Sequence, residues 1–214
     1  MRPRKLLVLG TRTLAVEIAD LASEIPGVEV AGFVENEDPD KCGDKLEGLP
    51  VYWVDELAKM RDTHEAIGGL ATTHRIRFIE QAASFGMRFA TLVHPRARVS
   101  TKARLGQGTF VSAGSLVSAC TMVGEHVFIN RGVLIGHHSE IGDFATIQPG
   151  GNIAGRCRIG AHAYLGIGAI VVDNVTVGGH SFVAAGSLVT KDVPDQVEVF
   201  GVPARIIKRN FKGK

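Results

Sequence analysis

The chain has 214 residues, which is enough for one large domain or two small ones. A net charge of only +2 does not indicate a general surface for nucleic acid, and 6% aromatic against 45% hydrophobic residues suits a core of stacked aliphatic side chains. The three cysteines are far apart and odd in number, so no disulfide framework or metal spacing is apparent, and we expect a reducing cytoplasm.

Strands alternate with helices over residues 1–93. The pattern predicts strands at Lys5–Gly10, Val28–Glu35, Val51–Val54, Ala66–Ala71 and Phe89–Val93, helices at Thr13–Glu24, Asp55–Met60 and Thr73–Gly86, and a polar loop at Asn36–Gly48. The apolar run Leu6–Leu9 is too short for a signal peptide, and no segment is long enough to span a membrane. The alternation predicts a small parallel α/β sheet, Rossmann-like in outline.

Residues 94–195 follow a period of six. From Val93 to Val189 every sixth residue is Val, Ile or Leu, and the residue four places after each is usually small. A helix has a period near 3.6 and a strand a period of two, so the pattern fits neither. A strict hexapeptide period predicts a parallel β-helix. Three hexads close one coil, so residues eighteen apart stack at about 4.8 Å.

The last segment, residues 196–214, lies beyond the repeat. Gly201–Ala204 indicates an ordered turn, and the residues after it are rich in basic side chains. We expect a basic tail carrying Arg205, Lys208, Arg209, Lys212 and Lys214.

These features together resemble one family. The α/β domain, the junction Ala90–Pro95, the hexapeptide repeat, the segment Asn130–His138 and the closing Gly201–Ala204 are similar to the sialic-acid O-acetyltransferase-like sugar acyltransferases, which include bacterial nucleotide-aminosugar N-acetyltransferases. The resemblance covers nearly the whole chain. It implies a left-handed β-helix, a homotrimer with active sites between neighbouring subunits, and transfer of an acetyl group from acetyl-CoA to an amine or hydroxyl of a sugar.

His137 is the candidate general base. It occupies an outward position in its hexad, and Gly155 lies eighteen residues later, one coil away. Imidazole accepts a proton near neutral pH, and a backbone N–H stabilises the oxygen of a reacting thioester. The resemblance implies that His137 is the base, that Gly155 helps to hold the thioester, and that Asn130 lies near the acceptor.

His138 departs from the family, which usually has Asp or Glu directly after the base. Three alternatives stay open. His138 orients His137 by hydrogen bonding, another group such as a carboxylate of the adjacent subunit does so, or His138 is only a substitution at a corner.

Coenzyme A positions of the family fall on Thr146, Ile167 and Ala185, flanked by Gly166 and Gly186. Ile167 and Ala185 are eighteen apart and therefore stack, so small residues there would leave a groove for the pantetheine arm. Tight turns would require the glycines in any case. Arg205 or Lys208 could meet the phosphates of coenzyme A, although a charged tail is more often simply solvated.

A histidine column raises a second class of function. His126, His162 and His180 share one hexad position, with Phe144 filling the gap. Stacked imidazoles can bind zinc, and β-helical carbonic anhydrases look similar, but their third histidine falls where this chain has Ile167. We expect no metal and predict that the column packs at a trimer interface. The alternatives are a metal-dependent hydratase and a non-catalytic ligand-binding or scaffold protein.

The resemblance also implies that the first domain binds a nucleotide-sugar acceptor. Family positions for that ligand fall on Gly10, Thr11, Arg12, Glu35 and Asn36, and the N-terminus of the following helix could hold an anion. The chain departs from the family at Leu14, where a histidine is expected, and at Leu70, where a glycine is expected. The identity of the acceptor, the choice between N- and O-transfer and the acyl chain length stay open.

Overall fold

The computed structural model describes residues 4–70, 72 and 75–210. The chain divides into two compact units, Met1–His94 and Pro95–Lys214. Among the described residues, every helix is too short and too polar to cross a lipid bilayer.

The N-terminal unit is an α/β structure with a six-stranded sheet. Its helices are α1 (Thr13–Ser23), α2 (Leu57–Met60) and α3 (Arg75–Ser84), with 3₁₀ turns at Pro39–Lys41 and Val54–Glu56. Its strands are β1 (Arg4–Leu9), β2 (Val28–Glu35), β3 (Lys45–Leu46), β4 (Leu49–Trp53), β5 (His64–Gly68) and β6 (Arg88–Phe89). The sheet order is β3-β4-β2-β1-β5-β6, and every pairing is parallel except that of β3 with β4.

The core of this unit lies around β1. Residues Leu6–Leu9 are all buried, because β1 is a central strand covered on both faces. Helix α1 turns its small and aliphatic face inward through Ala15, Ile18, Ala19 and Ala22. The chain passes very close to β1 at Gly69, where a Cβ would lie 2.8 Å from the carbonyl oxygen of Leu9. Glycine at this place therefore lets the loop after β5 lie against the end of β1.

Several predicted elements of the unit change. The expected loop Asn36–Gly48 contains strand β3, which joins β4 through Glu47 and Gly48, both at positive φ (49° and 77°). Such a two-residue turn is typical of a hairpin, but Glu-Gly is not one of its usual sequences. The helix expected over Asp55–Met60 begins as the 3₁₀ turn Val54–Glu56, where the Glu56 carboxylate accepts the Trp53 N–H at 3.0 Å. Ala71, Thr73 and His74 lie outside the described residues.

The hexapeptide repeat forms a parallel β-helix, as predicted. Its strands are β7 (Leu92–Val93), β8 (Arg98–Val99), β9 (Arg104–Leu105), β10 (Phe110–Val111), β11 (Leu116–Val117), β12 (Met122–Val123), β13 (Phe128–Ile129), β14 (Leu134–Ile135), β15 (Glu140–Ile141), β16 (Thr146–Ile147), β17 (Asn152–Ile153), β18 (Arg158–Ile159), β19 (Tyr164–Leu165), β20 (Ile170–Val171), β21 (Thr176–Val177), β22 (Phe182–Val183), β23 (Leu188–Val189), β24 (Val197–Gly201) and β25 (Ala204–Arg209). The three sheets run β25-β24-β22-β19-β16-β13-β10-β7, β23-β20-β17-β14-β11-β8 and β21-β18-β15-β12-β9. These stacked parallel sheets fit a left-handed β-helix.

The register matches the predicted spacing of eighteen. Ile129 pairs with Ile147, and Ile147 pairs with Leu165. These three side chains are completely buried. Small hydroxyl residues join successive coils, as where the Ser115 hydroxyl donates to the Asn130 carbonyl at 2.7 Å. The aliphatic ladder and these hydrogen bonds together hold the coils in register.

Each coil turns through three corners at residues with positive φ. The aromatic corner consists of Gly108, His126, Phe144, His162 and His180. The glycine corner consists of Gly114, Gly132, Gly150, Gly168 and Gly186. The third corner consists of Cys120, His138, Arg156 and Asn174. The larger residues of the other two corners have φ values of 53–62°, against 65–71° at the glycine corner, so all three corners use the left-handed region and turn geometry alone does not require glycine.

The expected C-terminal tail forms a hairpin instead of a free tail. Strands β24 and β25 pair antiparallel, and β24 extends the sheet beside β22. Phe200, Val202 and Ile207 are exposed on this hairpin. The sequence analysis overlooked the strands because basic and apolar residues follow each other there without regular alternation. Lys212 and Lys214 lie outside the described residues.

Candidate active site

His137 lies beside Gly155 at the turn that follows β14. Its ring is exposed, and its Cε1 and Nε2 atoms are each 3.0 Å from the place where a Cβ of residue 155 would lie. Any side chain at residue 155 would therefore press against the ring. The spacing argument placed these two residues together, and the structure brings them together.

The amide of Gly155 is engaged within the protein. Its N–H donates to Asp173 Oδ1 at 2.9 Å. The same contact recurs elsewhere, from Glu125 to Asp143 at 2.8 Å and from Gly179 to Asp195 at 2.7 Å. The expectation of an open amide at Gly155 therefore needs correction: Asp173 holds this N–H, and a thioester oxygen would have to share it or displace the carboxylate.

His138 contacts the candidate base directly. The Nδ1 atoms of His137 and His138 are 3.1 Å apart, and their rings are nearly perpendicular at 85°. The backbone of His138 is fixed by positive φ (56°) and by its N–H, which donates to the Ala119 carbonyl at 3.0 Å. Of the three alternatives for His138, this geometry favours orientation of His137 by hydrogen bonding.

Asn130 is held within the β-helix by hydrogen bonds. It is buried, with 5% of its surface exposed. Its amide donates to Gln148 at 3.1 Å, and its carbonyl oxygen accepts the N–H of Arg131 at 2.8 Å. Both ends of the side chain are therefore used within the β-helix. Asn130 shapes the turn at Arg131.

Ile167 and Ala185 lie where the resemblance placed coenzyme A contacts. Both are exposed, Ile167 at 61%. Gly186 donates its N–H to the Ile167 carbonyl at 2.8 Å, which stacks the two residues on neighbouring coils. Among the described residues, the N–H groups of Ile167 and Ala185 meet no acceptor. The pair therefore presents two open donors beside the glycine corner.

Two other expected coenzyme A residues are buried. Thr146 is fully buried in β16, which does not fit a direct contact with a ligand. Gly166 is buried as well, and a Cβ there would lie 2.6 Å from the Ala185 nitrogen. Gly166 is therefore required for close packing of two coils. Arg205, the predicted phosphate contact, is exposed on β25, and its guanidinium donates to the Ala204 carbonyl at 2.8 Å.

The glycine corner has an open outer face. A Cβ added at Gly132, Gly150, Gly168 or Gly186 would meet nothing within 4 Å. The same turn accommodates histidine at the aromatic corner and arginine at the third corner. Glycine at every turn of this one corner therefore leaves a smooth surface. Turn geometry alone does not explain why these residues are glycine.

The histidine column lies on one corner, as predicted. Neighbouring ring centroids are 5.1 Å apart for His126 and Phe144, 5.2 Å for Phe144 and His162, and 4.4 Å for His162 and His180. The rings are within 17° of parallel. Within residues 4–70, 72 and 75–210, no group of three metal-ligating side chains converges. The arrangement is that of a stack of flat rings.

The N-terminal unit contains a pocket of about 730 Å³ at the carboxyl ends of β1, β2 and β5. All five predicted acceptor residues line it. The complete lining is Gly10, Thr11, Arg12, Thr13, Leu14, Glu35, Asn36, Glu37, Gly69, Leu70, Thr72, Arg77 and Phe78. Arg77 was missed by the sequence analysis. Its place in the first turn of the helix after β5 was the available signal, because such helices begin at the ligand-binding edge of parallel sheets.

Glu35 is a buried, ionised carboxylate at the base of this pocket. It accepts the N–H groups of Asn36 and Glu37, each at 2.9 Å, the Thr11 hydroxyl, and the Lys41 ammonium at 3.3 Å. Burial alone would raise the pKa of Glu35, but these donors outweigh it and lower the pKa from 4.5 to about 2. Glu35 therefore ties the loop after β1 to the end of β2.

The side chains of Asn36 and Arg12 differ in how firmly the protein holds them. Asn36 donates its side-chain amide to Gln81 of α3 at 2.8 Å. Arg12 is 76% exposed and makes a long contact of 3.4 Å with Glu37. Arg12 and Arg77 thus bring positive charge to the pocket, near the N-terminus of α1.

Solved structures share the fold over almost the whole chain. The acetyltransferase domain of PglB from Neisseria gonorrhoeae, in complex with acetyl coenzyme A, is 29% identical, with a TM-score of 0.88 over 96% of this chain and 100% of that one. PerB from Caulobacter crescentus, in complex with CoA and GDP-perosamine, is 30% identical, with a TM-score of 0.86 over 95% of this chain and 97% of that one. WeeI from Acinetobacter baumannii, 24% identical with a TM-score of 0.86 over 94% and 99%, shares the fold. No family model and no curated protein matches.

Proposed function

The chain belongs to the sugar N-acetyltransferases, and on this premise we propose that it moves an acetyl group from acetyl-CoA to an amine or hydroxyl of a sugar or nucleotide-linked aminosugar. The observation that carries the proposal is the exposed His137 ring, with Nε2 facing the cleared space at Gly155. PerB is similar over its whole length and is in complex with CoA and GDP-perosamine.

The proposed reaction is a direct transfer. The acceptor nitrogen or oxygen attacks the thioester carbonyl while His137 Nε2 takes its proton. The C–S bond then breaks, the coenzyme A thiolate leaves, and His137 returns the proton to that sulfur. The products are the acetylated sugar and free coenzyme A. An N–H donor stabilises the negative charge on the carbonyl oxygen during the attack, and we assign this to Gly155 when Asp173 shares or releases it.

Acetyl-CoA is proposed to lie along the glycine corner. The open surface there admits a narrow chain, and the N–H groups of Ile167 and Ala185 are donors for the amide carbonyls of pantetheine. Arg205 is an exposed cation suited to a phosphate. Exposed Leu134 and Ile170 lie on one sheet of the β-helix, which supports a homotrimer built on that apolar face.

The N-terminal unit is proposed to be a Rossmann-like acceptor domain. Its pocket lies at the carboxyl ends of parallel strands, where ligands of such sheets bind. Arg12, Arg77 and the N-terminus of α1 supply positive charge, which suits the diphosphate of a nucleotide sugar. Glu35 already accepts four hydrogen bonds, so we assign it a role in holding the shape of the pocket and not in binding the ligand.

A direct test is to incubate the protein with acetyl-CoA and a panel of free and nucleotide-linked aminosugars. Release of coenzyme A thiol together with a gain of one acetyl group in the acceptor, seen by mass spectrometry, is the expected result. Binding of coenzyme A without turnover on any acceptor of the panel would contradict the proposal. Stoichiometric zinc in the purified protein would favour the hydratase alternative.

A further inference from the structure

We propose that His138 is a positioning residue that selects the reactive tautomer of His137, and that a proton on His138 switches the transfer off. This deepens the proposed function and rests on the role of His137 as base.

The Nδ1 atoms of His137 and His138 are 3.1 Å apart. At this distance one nitrogen donates its proton and the other accepts it, because each neutral ring has one donor and one acceptor nitrogen. If His137 donates, its proton is on Nδ1 and its Nε2 has a free lone pair. If His138 donates, neutral His137 carries its proton on Nε2 and cannot accept another there.

Only the first arrangement is reactive, because Nε2 is the nitrogen that faces the space at Gly155. His138 must then be neutral, with its proton on Nε2 and its Nδ1 free to accept. The hydrogen bond made by one ring nitrogen decides which form the other takes. His138 thus does what a carboxylate does at this place in the family, but with a ring nitrogen as the acceptor.

A proton on His138 reverses the hydrogen bond. Imidazolium carries N–H on both nitrogens, so His138 Nδ1 can then only donate. His137 is forced to accept at Nδ1, its own proton moves to Nε2, and the base is lost without being protonated. A carboxylate would keep accepting down to about pH 4. The histidine pair is therefore expected to respond to acid more steeply than a histidine–carboxylate pair.

The surroundings of the pair contain three further charged or titratable groups. On the third corner, His138 stacks between Cys120 and Arg156 of the neighbouring coils. On the His137 side, Gly155 lies one coil away, and Asp173 follows it in the same column. The Arg156 cation and the Asp173 anion thus flank the pair from the same side of the coil stack.

The first test reads the tautomer directly. The full chain, labelled with ¹⁵N-histidine, is measured by NMR near pH 8 without substrate, and H137N and H138N assign the two rings. We expect His137 protonated at Nδ1 and His138 protonated at Nε2. His137 protonated at Nε2 would overturn the proposal. Because no turnover is needed, this result is independent of whether acetyl transfer occurs.

The second test follows kcat/KM against pH. In wild type, transfer requires both histidines to be neutral, so the acid limb steepens from a slope of about 1 to about 2 once the pH is below both protonation steps of the pair. In H138E the slope falls to about 1, with kcat rescued relative to H138A. In H138A kcat falls at least about tenfold, part of the ~10²–10⁴ of a general base, while KM for acetyl-CoA is unchanged.

The matched control is Q196N, because Gln196 is also exposed and at positive φ and lies outside the assigned sites. We expect it to keep the wild-type profile. A wild-type acid limb that superimposes on that of H138E, or an H138A variant with wild-type kcat and profile, would overturn the proposal.

Discussion

Replacing Glu35 by Gln should destabilise the N-terminal unit in a way that depends on pH. The donors around this carboxylate lower its pKa from 4.5 to about 2. At about 1.36 kcal/mol per pKa unit, the ionised form contributes at most about 3 kcal/mol to the free energy of unfolding. The side chain is only 6% exposed, so solvent screening takes little from this value.

The sign follows from the lowered pKa. The contribution is fully present above pH 4.5, the unfolded value, and is lost as the pH falls toward 2. The difference between wild type and E35Q should therefore be large at pH 7 and shrink between about pH 4.5 and 2.5. Gln has nearly the shape of Glu, so the steric change is small. It keeps one acceptor oxygen but places an NH₂ group where a carboxylate oxygen accepted hydrogen bonds.

The assay is urea unfolding of the full chain, followed by the fluorescence of Trp53. This is the single tryptophan, and it pairs with Glu35 in the register of β2 and β4. E80Q, at an exposed residue of α3, is the control and should stay within about 0.5 kcal/mol of wild type. A difference for E35Q below about 0.5 kcal/mol at pH 7, or one that does not change with pH, would refute the reasoning.

Three further predictions concern the β-helix. G155A should lower kcat at least about tenfold, because its Cβ would press on the His137 ring at 3.0 Å. G179A, close to another corner, is the control. An equal loss of kcat in both variants would refute the explanation from contact with His137. G168N should keep the fold, since Asn tolerates positive φ, yet raise the Kd for coenzyme A at least about tenfold by filling the groove. Q196N, at an exposed residue outside the assigned sites, should leave that Kd unchanged in the same titration calorimetry, and equal Kd values for G168N and wild type would contradict the proposed groove. A chelator should leave turnover unchanged, and its loss and recovery with zinc would contradict the direct mechanism.

The β-helix could be predicted closely because the stacking of its coils follows from one quantity, the period of six residues. A period of six places Leu165 over Ile147 and Gly155 beside His137 without knowledge of any long-range contact. The same period does not say which way a polar side chain turns. Asn130 and Thr146, which the resemblance assigns to ligands, are both buried, and the period alone did not indicate this.

Side-chain hydrogen bonds between coils and between strands could not be predicted from the sequence. Asp173 reaches the Gly155 amide from the next coil, and nothing local in either segment indicates it. The same holds for the N-terminal pocket. The residues of its Gly-rich loop came from the family resemblance, but the contact of Thr11 with Glu35 joins positions 24 residues apart. Arg77 comes from a third segment, which meets the others only in the folded sheet.

The central claim is that His137 removes the proton of the acceptor during acetyl transfer. It is tested most directly by comparing wild type and H137A for acetyl-CoA turnover with the best acceptor, and for coenzyme A binding by calorimetry. The account predicts that H137A loses on the order of 10²–10⁴ in kcat and keeps the wild-type Kd for coenzyme A. Wild-type turnover in H137A would contradict it.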